Sequence, residues 1–131
     1  DDTLDGLQHS LGEELLRTHK NYQPLLRKIP VEKIHGLAHI TGGGLIDNVP
    51  RVLPKNCDAV IKTKSWRVPT IFEILREHGG VAREEMYQVF NMGIGMVAIV
   101  SENDARDCAK ALRAKVIGRI EAGRGVTRLI L

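Results

Sequence analysis

The stretch 39–54, HITGGGLIDNVPRVLP, gathers most of the side chains in this sequence that can do chemistry. An imidazole, His39, ends an apolar run. A hydroxyl, Thr41, precedes three consecutive glycines, Gly42, Gly43 and Gly44, and Asp47, Asn48 and Arg51 follow closely. A strand that feeds a glycine run and then a helix leaves several peptide N–H groups without helical acceptors at one point. The positive end of the helix adds to them, so the junction attracts an anion. Each glycine loses more backbone freedom on folding than any other residue. A chain tolerates that cost where φ must be positive or where a ligand comes too close for a Cβ. The chemistry is therefore phosphate or carboxylate binding, with a ligand-free tight turn as the other reading. No Gly-Lys-Ser/Thr follows the glycines, which excludes a nucleotide-binding P-loop.

Beside an anion, His39 can donate a charge-assisted hydrogen bond or move a proton; its other reading is a ring hydrogen-bonded in the core. His35 shares its strand face but lies farther from the loop, which suits a structural role. The Arg51 guanidinium can grip a phosphate in two-pronged fashion or simply bridge the end of the helix. Asn48 fits either a cap or a ligand contact. A second patch, 91–96 (NMGIGM), puts Asn91, Gly93 and Gly95 at the mouth of a strand, where a ligand could approach closely or the strand could start on a bulge. The two methionines there read as core packing. Glu84 and Glu85 diverge on a helix and read as exposed, and Trp66 reads as packing. The candidate catalytic residue is thus His39. The candidate phosphate-binding residues are Thr41, Gly42, Gly43, Gly44, Asn48, Arg51, Asn91, Gly93 and Gly95, and no metal-ligand set is expected.

These residues sit in a chain of 131, enough for one domain with a real core. Apolar residues are 43% and aromatics only 4%, so Leu, Ile, Val and Ala must build that core. The net charge is +3 and the sequence pI is about 9.0. Bases and acids are interleaved, without the basic stripe or aromatic spacing of a nucleic-acid binder. The mild excess favours small anions. Cys57 and Cys108 form no Cys-x-x-Cys pair and read as reduced thiols of a cytoplasmic protein. No apolar run is long enough to span a bilayer. The chain opens Asp1-Asp2-Thr3 and stops inside the apolar run 128–131, from which we expect a piece of a longer polypeptide.

The elements that must position the site follow from periodicity and breakers. Residues 1–30 read as a leading segment with short helices at 11–18 and 23–29, the second stopped by Pro30. Residues 31–131 read as an α+β domain. In it, 34–40 is the strand into the glycine loop, and a helix over 45–49 runs into Pro50. A buried strand follows at 58–62. Pro69 opens a helix that Gly79-Gly80 ends, and 83–90 is another. The run 97–100 is a central strand, and 102–115 is a strongly amphipathic helix. Two strands, 116–121 and 126–131, joined by 122–125, are predicted to form a hairpin. The fold class is α+β, a mixed, mainly antiparallel sheet with helices packed on it.

HITGGGLIDNVPRVLP and, about thirty residues on, EEMYQVFNMGIGMV, with Trp66-x-x-Pro69-x-Ile71-Phe72 between them, resemble the C-terminal domain of the aminoimidazole ribonucleotide synthetase (phosphoribosylformylglycinamidine cyclo-ligase) family. The likeness covers residue 11 to the end. It departs at one place: the family usually reads Leu-Leu-x-Pro-Thr-x-Ile-Tyr, and this chain reads Leu15-Leu16-Arg17-Thr18-His19-Lys20-Asn21-Tyr22. The resemblance implies a two-domain, ATP-binding ligase of cytoplasmic purine biosynthesis. An N-terminal domain, absent from this chain, would hold ATP and Mg²⁺ and form a homodimer. The C-terminal domain would close the cleft over formylglycinamidine ribonucleotide, which is cyclised to aminoimidazole ribonucleotide. On that reading the loop amides cradle a phosphate, His39 and Arg51 supply donors or charge, and Asn91, Gly93 and Gly95 form the opposite wall. No nucleic-acid or membrane partner is implied. A related ATP-using synthetase of the selenophosphate synthetase kind, or a non-catalytic anion-binding module, would use the same architecture.

Overall fold

Residues 4 and 6–131 are described by a computed structural model; the acidic opening residues 1–3 and 5, part of the predicted leading segment, lie outside them. Two short helices come first, α1 (Leu11–Leu15) and α2 (Gln23–Leu26). Ser10 and Glu13 cap α1 reciprocally: the Ser10 hydroxyl accepts from the Glu13 amide, and the Glu13 carboxylate accepts from the Ser10 amide. Pro24 at the start of α2 gives up an N–H that the first helical turn would leave unpaired anyway.

The strand predicted at the glycine loop forms as β1 (Gly36–His39) and pairs antiparallel with β3 (Met96–Ile99). Register places His39 opposite Met96 and Gly36 opposite Ile99. The loop after β1 leads into α3 (Gly44–Asn48), which tightens into a 3-10 turn over Val49–Val52 where Pro50 removes an amide donor. β2 (Cys57–Lys62) is the middle strand of a second sheet, as its nearly continuous burial requires. Helices α4 (Thr70–Gly79) and α5 (Arg83–Val89) follow; Gly80, left-handed, ends α4. α6 (Glu102–Leu112) is capped by Ser101 and ends at Leu112, three residues short of the predicted end, with Arg113, left-handed, as its C-cap.

The predicted hairpin is not present. β4 (Gly118–Ala122) and β5 (Thr127–Ile130) do not pair with each other but flank β2, in the order β4–β2–β5. β4 runs antiparallel to β2, and β5 parallel to it. The physical reason is Asp58, buried at the edge of β2. Its Oδ1 accepts from the Arg124 amide at 2.7 Å and the Val126 amide at 3.1 Å. Those two donors are thereby drawn across the end of β2 and cannot close the hairpin expected over 122–125. The sheets are accordingly mixed and mostly antiparallel, with helices packed on them, which is the α+β class predicted.

One apolar core serves both sheets. Ala38 and Ile40 come from the β1 region, Leu45 and Val49 from α3 and the turn after it, Ala59 and Ile61 from β2, Met86 and Tyr87 from α5, and Met92 from the loop before β3. Ile40, Leu45, Val49 and Met86 are fully buried, each such side chain contributing about 1.5–3 kcal/mol of transfer free energy. They flank the glycine loop on both sides, so the loop is anchored in the core although its apex is exposed. Lys33, before β1, pairs with Asp104 of α6 at 2.7 Å and fixes that helix against the β1 end. No helix of the described residues is long and apolar enough to cross a membrane.

Candidate functional site

The two patches that the sequence singles out meet at one end of the β1–β3 ladder. The Ile40 amide donates to the Gly95 carbonyl at 2.9 Å, one step beyond the His39–Met96 pair. Thr41 and Gly42 are exposed there. Gly43 takes φ +95°, and Gly44, φ +55°, is buried where α5 crosses the loop. A Cβ on Gly44 would run into the Tyr87 carbonyl, whereas one on Gly42 would meet nothing within 4 Å. The glycines therefore serve different ends: Gly44 admits the α5 backbone, Gly43 makes the left-handed turn, and Gly42 faces open space.

Of the loop amides, Gly44 donates to the Thr41 carbonyl at 3.0 Å. No backbone carbonyl among the described residues accepts from the N–H of Gly42 or Gly43. The carbonyls of the loop, by contrast, are held. Asn48, 4% exposed, points its amide nitrogen at the Gly44 carbonyl (2.8 Å), the Gly42 carbonyl (3.1 Å) and the Thr41 carbonyl (3.4 Å). A side-chain donor binds the loop from inside and turns its carbonyls inward, which leaves the outward N–H groups for solvent or a ligand. Asn48 thus acts on the loop rather than across it. Arg51 is exposed on the 3-10 turn and makes no salt bridge among the described residues.

The second patch is built for close packing. The Asn91 side-chain oxygen accepts from the Gly93 amide at 2.9 Å, closing a local turn. Gly93 lies against the ring of Pro69, and Gly95 against the phenol of Tyr22. Trp66 donates to the Met92 carbonyl at 2.9 Å and meets Tyr87 edge-on, a packing role as predicted. Asn91 and Gly93 satisfy each other here, and Gly95 serves the site through Tyr22 and through its hydrogen bond from Ile40.

What sequence reasoning missed is the placement of residues 19–22, within the divergent segment 17–22. They lie over the strand mouth, with the Tyr22 ring filling the space a side chain at Gly95 would take. The His19 ring contacts His39, with Nε2 to Nε2 at 3.1 Å. The two rings cross at 67° with centroids 5.1 Å apart. Asn21 accepts from the Gln23 amide at 3.0 Å, and the Lys20 ammonium sits over the Tyr22 ring. A shallow cavity of about 410 Å³ opens where these residues face His39 and Met96. The signal available in sequence was the departure of this segment from the family pattern; nothing in its spacing indicated that it folds back onto residue 39. Among the described residues no group of three or more His, Cys, Asp or Glu could hold a metal ion.

A family model described as AIR synthase related protein, C-terminal domain, matches residues 1–130. A phosphoribosylformylglycinamidine cyclo-ligase of Syntrophus aciditrophicus (strain SB) is 46% identical over 131 residues, covering 95% of this chain and 38% of that protein. Those of Bacillus thuringiensis (strain Al Hakam) and Bacillus cereus (strain AH820) are each 46% identical over 127 residues, 92% of this chain and 37% of theirs. The chain thus spans less than two fifths of the length of these curated relatives.

Proposed function

Because the chain belongs to the family of AIR synthase related proteins, C-terminal domain, we propose that it is the C-terminal part of a phosphoribosylformylglycinamidine cyclo-ligase. In that enzyme it would pack against an N-terminal domain that carries ATP, Mg²⁺ and the homodimer contact, in the cytoplasm. The reaction closes the imidazole ring of aminoimidazole ribonucleotide from formylglycinamidine ribonucleotide. An amide oxygen leaves poorly, and ATP supplies the phosphoryl group that makes it leave readily. The remaining demand is positioning and neutralisation of phosphate charge.

This chain's residues meet that demand at the mouth of β1 and β3. The outward amides of Gly42 and Gly43 receive phosphate oxygens, with the Thr41 hydroxyl beside them. Arg51 contributes a full positive charge. His39 faces the same end of the ladder and holds or donates a proton next to the bound anion. Asn48 keeps the loop in the shape that exposes those amides. The observation that carries the reading is the inward capture of the loop carbonyls by Asn48, with the Gly42 and Gly43 N–H groups left without a backbone acceptor.

Titration of the chain with inorganic phosphate, followed by amide chemical shifts, tests it. Shifts are expected to concentrate on Gly42, Gly43 and Thr41. Arg51→Ala is expected to weaken the binding by roughly fivefold, the equivalent of about 1 kcal/mol, while stability changes by no more than about 0.5 kcal/mol. Shifts spread evenly over the surface, or confined to the other glycine-rich turn at 122–126, would remove the assignment. With ATP and formylglycinamidine ribonucleotide the chain by itself is expected to give no turnover.

A further inference from the structure

His19 stands where the family pattern carries threonine, and in this fold it reaches His39. Two imidazoles in contact through Nε2 at 3.1 Å cannot both donate. One must carry its proton on Nε2 while the other presents a lone pair there, and a neutral acceptor ring must then keep its proton on Nδ1. The contact therefore decides where a proton sits as well as where a ring points. The segment bearing His19 is itself fixed at a further place, where Tyr22 rests on Gly95, opposite the strand that carries His39, and Asn21 closes a local turn by accepting from the Gln23 amide. His39 is exposed on β1, and its ring has no other hydrogen-bond partner among the described residues. Without His19 it would be free to change rotamer.

We propose that His19 is a positioning residue for His39: it holds the ring over the strand mouth in one orientation and fixes which of its nitrogens bears the proton. The inference deepens the proposed function and rests on His39 acting at that site. A group that must donate or accept a proton at a defined atom gains from a fixed tautomer, because the alternative tautomer is unproductive. Lys20, from the same segment, lies on the rim of the cavity, so the segment brings an imidazole and an ammonium to face His39, with no carboxylate among the lining residues. That surrounding suits an anionic group placed against the pair.

Long-range ¹H–¹⁵N spectra of the imidazoles test the contact directly, recorded at about pH 8.5, where an ordinary imidazole is neutral. In the chain as it stands, one of the two rings is expected in the Nδ1–H form, which a free imidazole disfavours. In His19→Thr the His39 signals are expected to change to those of a mobile ring, and the Nδ1–H form of the pair is expected to be lost, with the amide spectrum of the core unchanged. Both rings in the Nε2–H form in the unaltered chain, or His39 signals indifferent to His19→Thr, would overturn the proposal. In the full-length enzyme that carries this chain, His19→Thr is expected to lower kcat about tenfold with KM little changed. A rise in KM at constant kcat would make His19 a binding contact and also overturn it. If His39→Ala left turnover intact, the reading of the site would fail, and the imidazole spectra would still decide the contact on their own.

Discussion

Two glycine-rich turns in this molecule are each governed by one buried side chain, and the two side chains have opposite hydrogen-bonding character. In the loop 41–44, Asn48 donates to carbonyls. In the turn 122–126, Asp58 accepts from the amides of Arg124 and Val126 and meets the Arg128 guanidinium at 3.2 Å. The second turn already contains its anion, supplied by the protein, and its amides are taken. The first has its carbonyls secured and amides turned outward. Glycine content alone does not make an anion site; the polarity of the residue beneath the turn decides whether the N–H groups remain available.

The sharpest break in this comparison is at Gly44. Replacing it with alanine forces a Cβ into the Tyr87 carbonyl, where helix α5 cannot withdraw without opening the core. A loss of about 3 kcal/mol or more is expected, measured by chemical denaturation. The same change at Gly42, with open space before it, is expected to leave the midpoint nearly where it was. Two substitutions that cost the same would mean that the loop has no such division of labour.

Next in size is Asn48→Ala. Removing the donor takes the side-chain hydrogen bond from three carbonyls, of which that of Thr41 keeps the Gly44 amide, and is expected to cost about 1–3 kcal/mol. It is also expected to abolish the phosphate-induced shifts at Gly42 and Gly43, because the loop loses the clamp that turns its amides outward. Retained binding in a destabilised variant would separate the clamp from the site.

The smallest effect concerns acid stability. The Asp58 carboxyl is held below the usual carboxylate range, first by the Arg124 amide and then by the Val126 amide, with the Arg128 charge adding to them against the cost of desolvation. A lowered native pKa contributes stability that is present above the unfolded value of about 3.9 and lost as pH falls through the native one. Denaturation midpoints are therefore expected to drop below about pH 4. Asp58→Asn should flatten that limb while lowering stability at neutral pH. Asp104, held low first by Lys33 and then by Ser101, adds to the same limb and remains in the variant. An acid limb unaffected by Asp58→Asn would show that the turn is not anchored through charge.

Much of the architecture could be read from local signals. Pro69 and Gly80 bracket α4, Ser101 starts α6, and the apolar run into Gly42 marks β1. Each signal acts within a few residues, through a fixed φ, a missing donor or a side-chain cap. The hairpin expected over 116–131 was misread because its turn looks self-sufficient in sequence. Its amides are engaged by Asp58, some 66 residues away along the chain. The site divides in the same way. The loop and the strand mouth stand out by composition, but Asn48 appears in sequence as either cap or ligand contact, and only its three acceptors distinguish the two.

By itself the sequence determined the α+β class and the two patches, since glycine runs, breakers and periodicity are properties of neighbouring residues, and through the likeness of its motifs it determined the family. The tertiary structure decided that β4 and β5 flank β2, that Gly44 and Gly95 are glycines because α5 and Tyr22 press on them, and that His19 meets His39. Those outcomes depend on which surfaces far apart in the chain are buried against one another. Such contacts are chosen by the packing of the whole core and leave no period or spacing in the sequence.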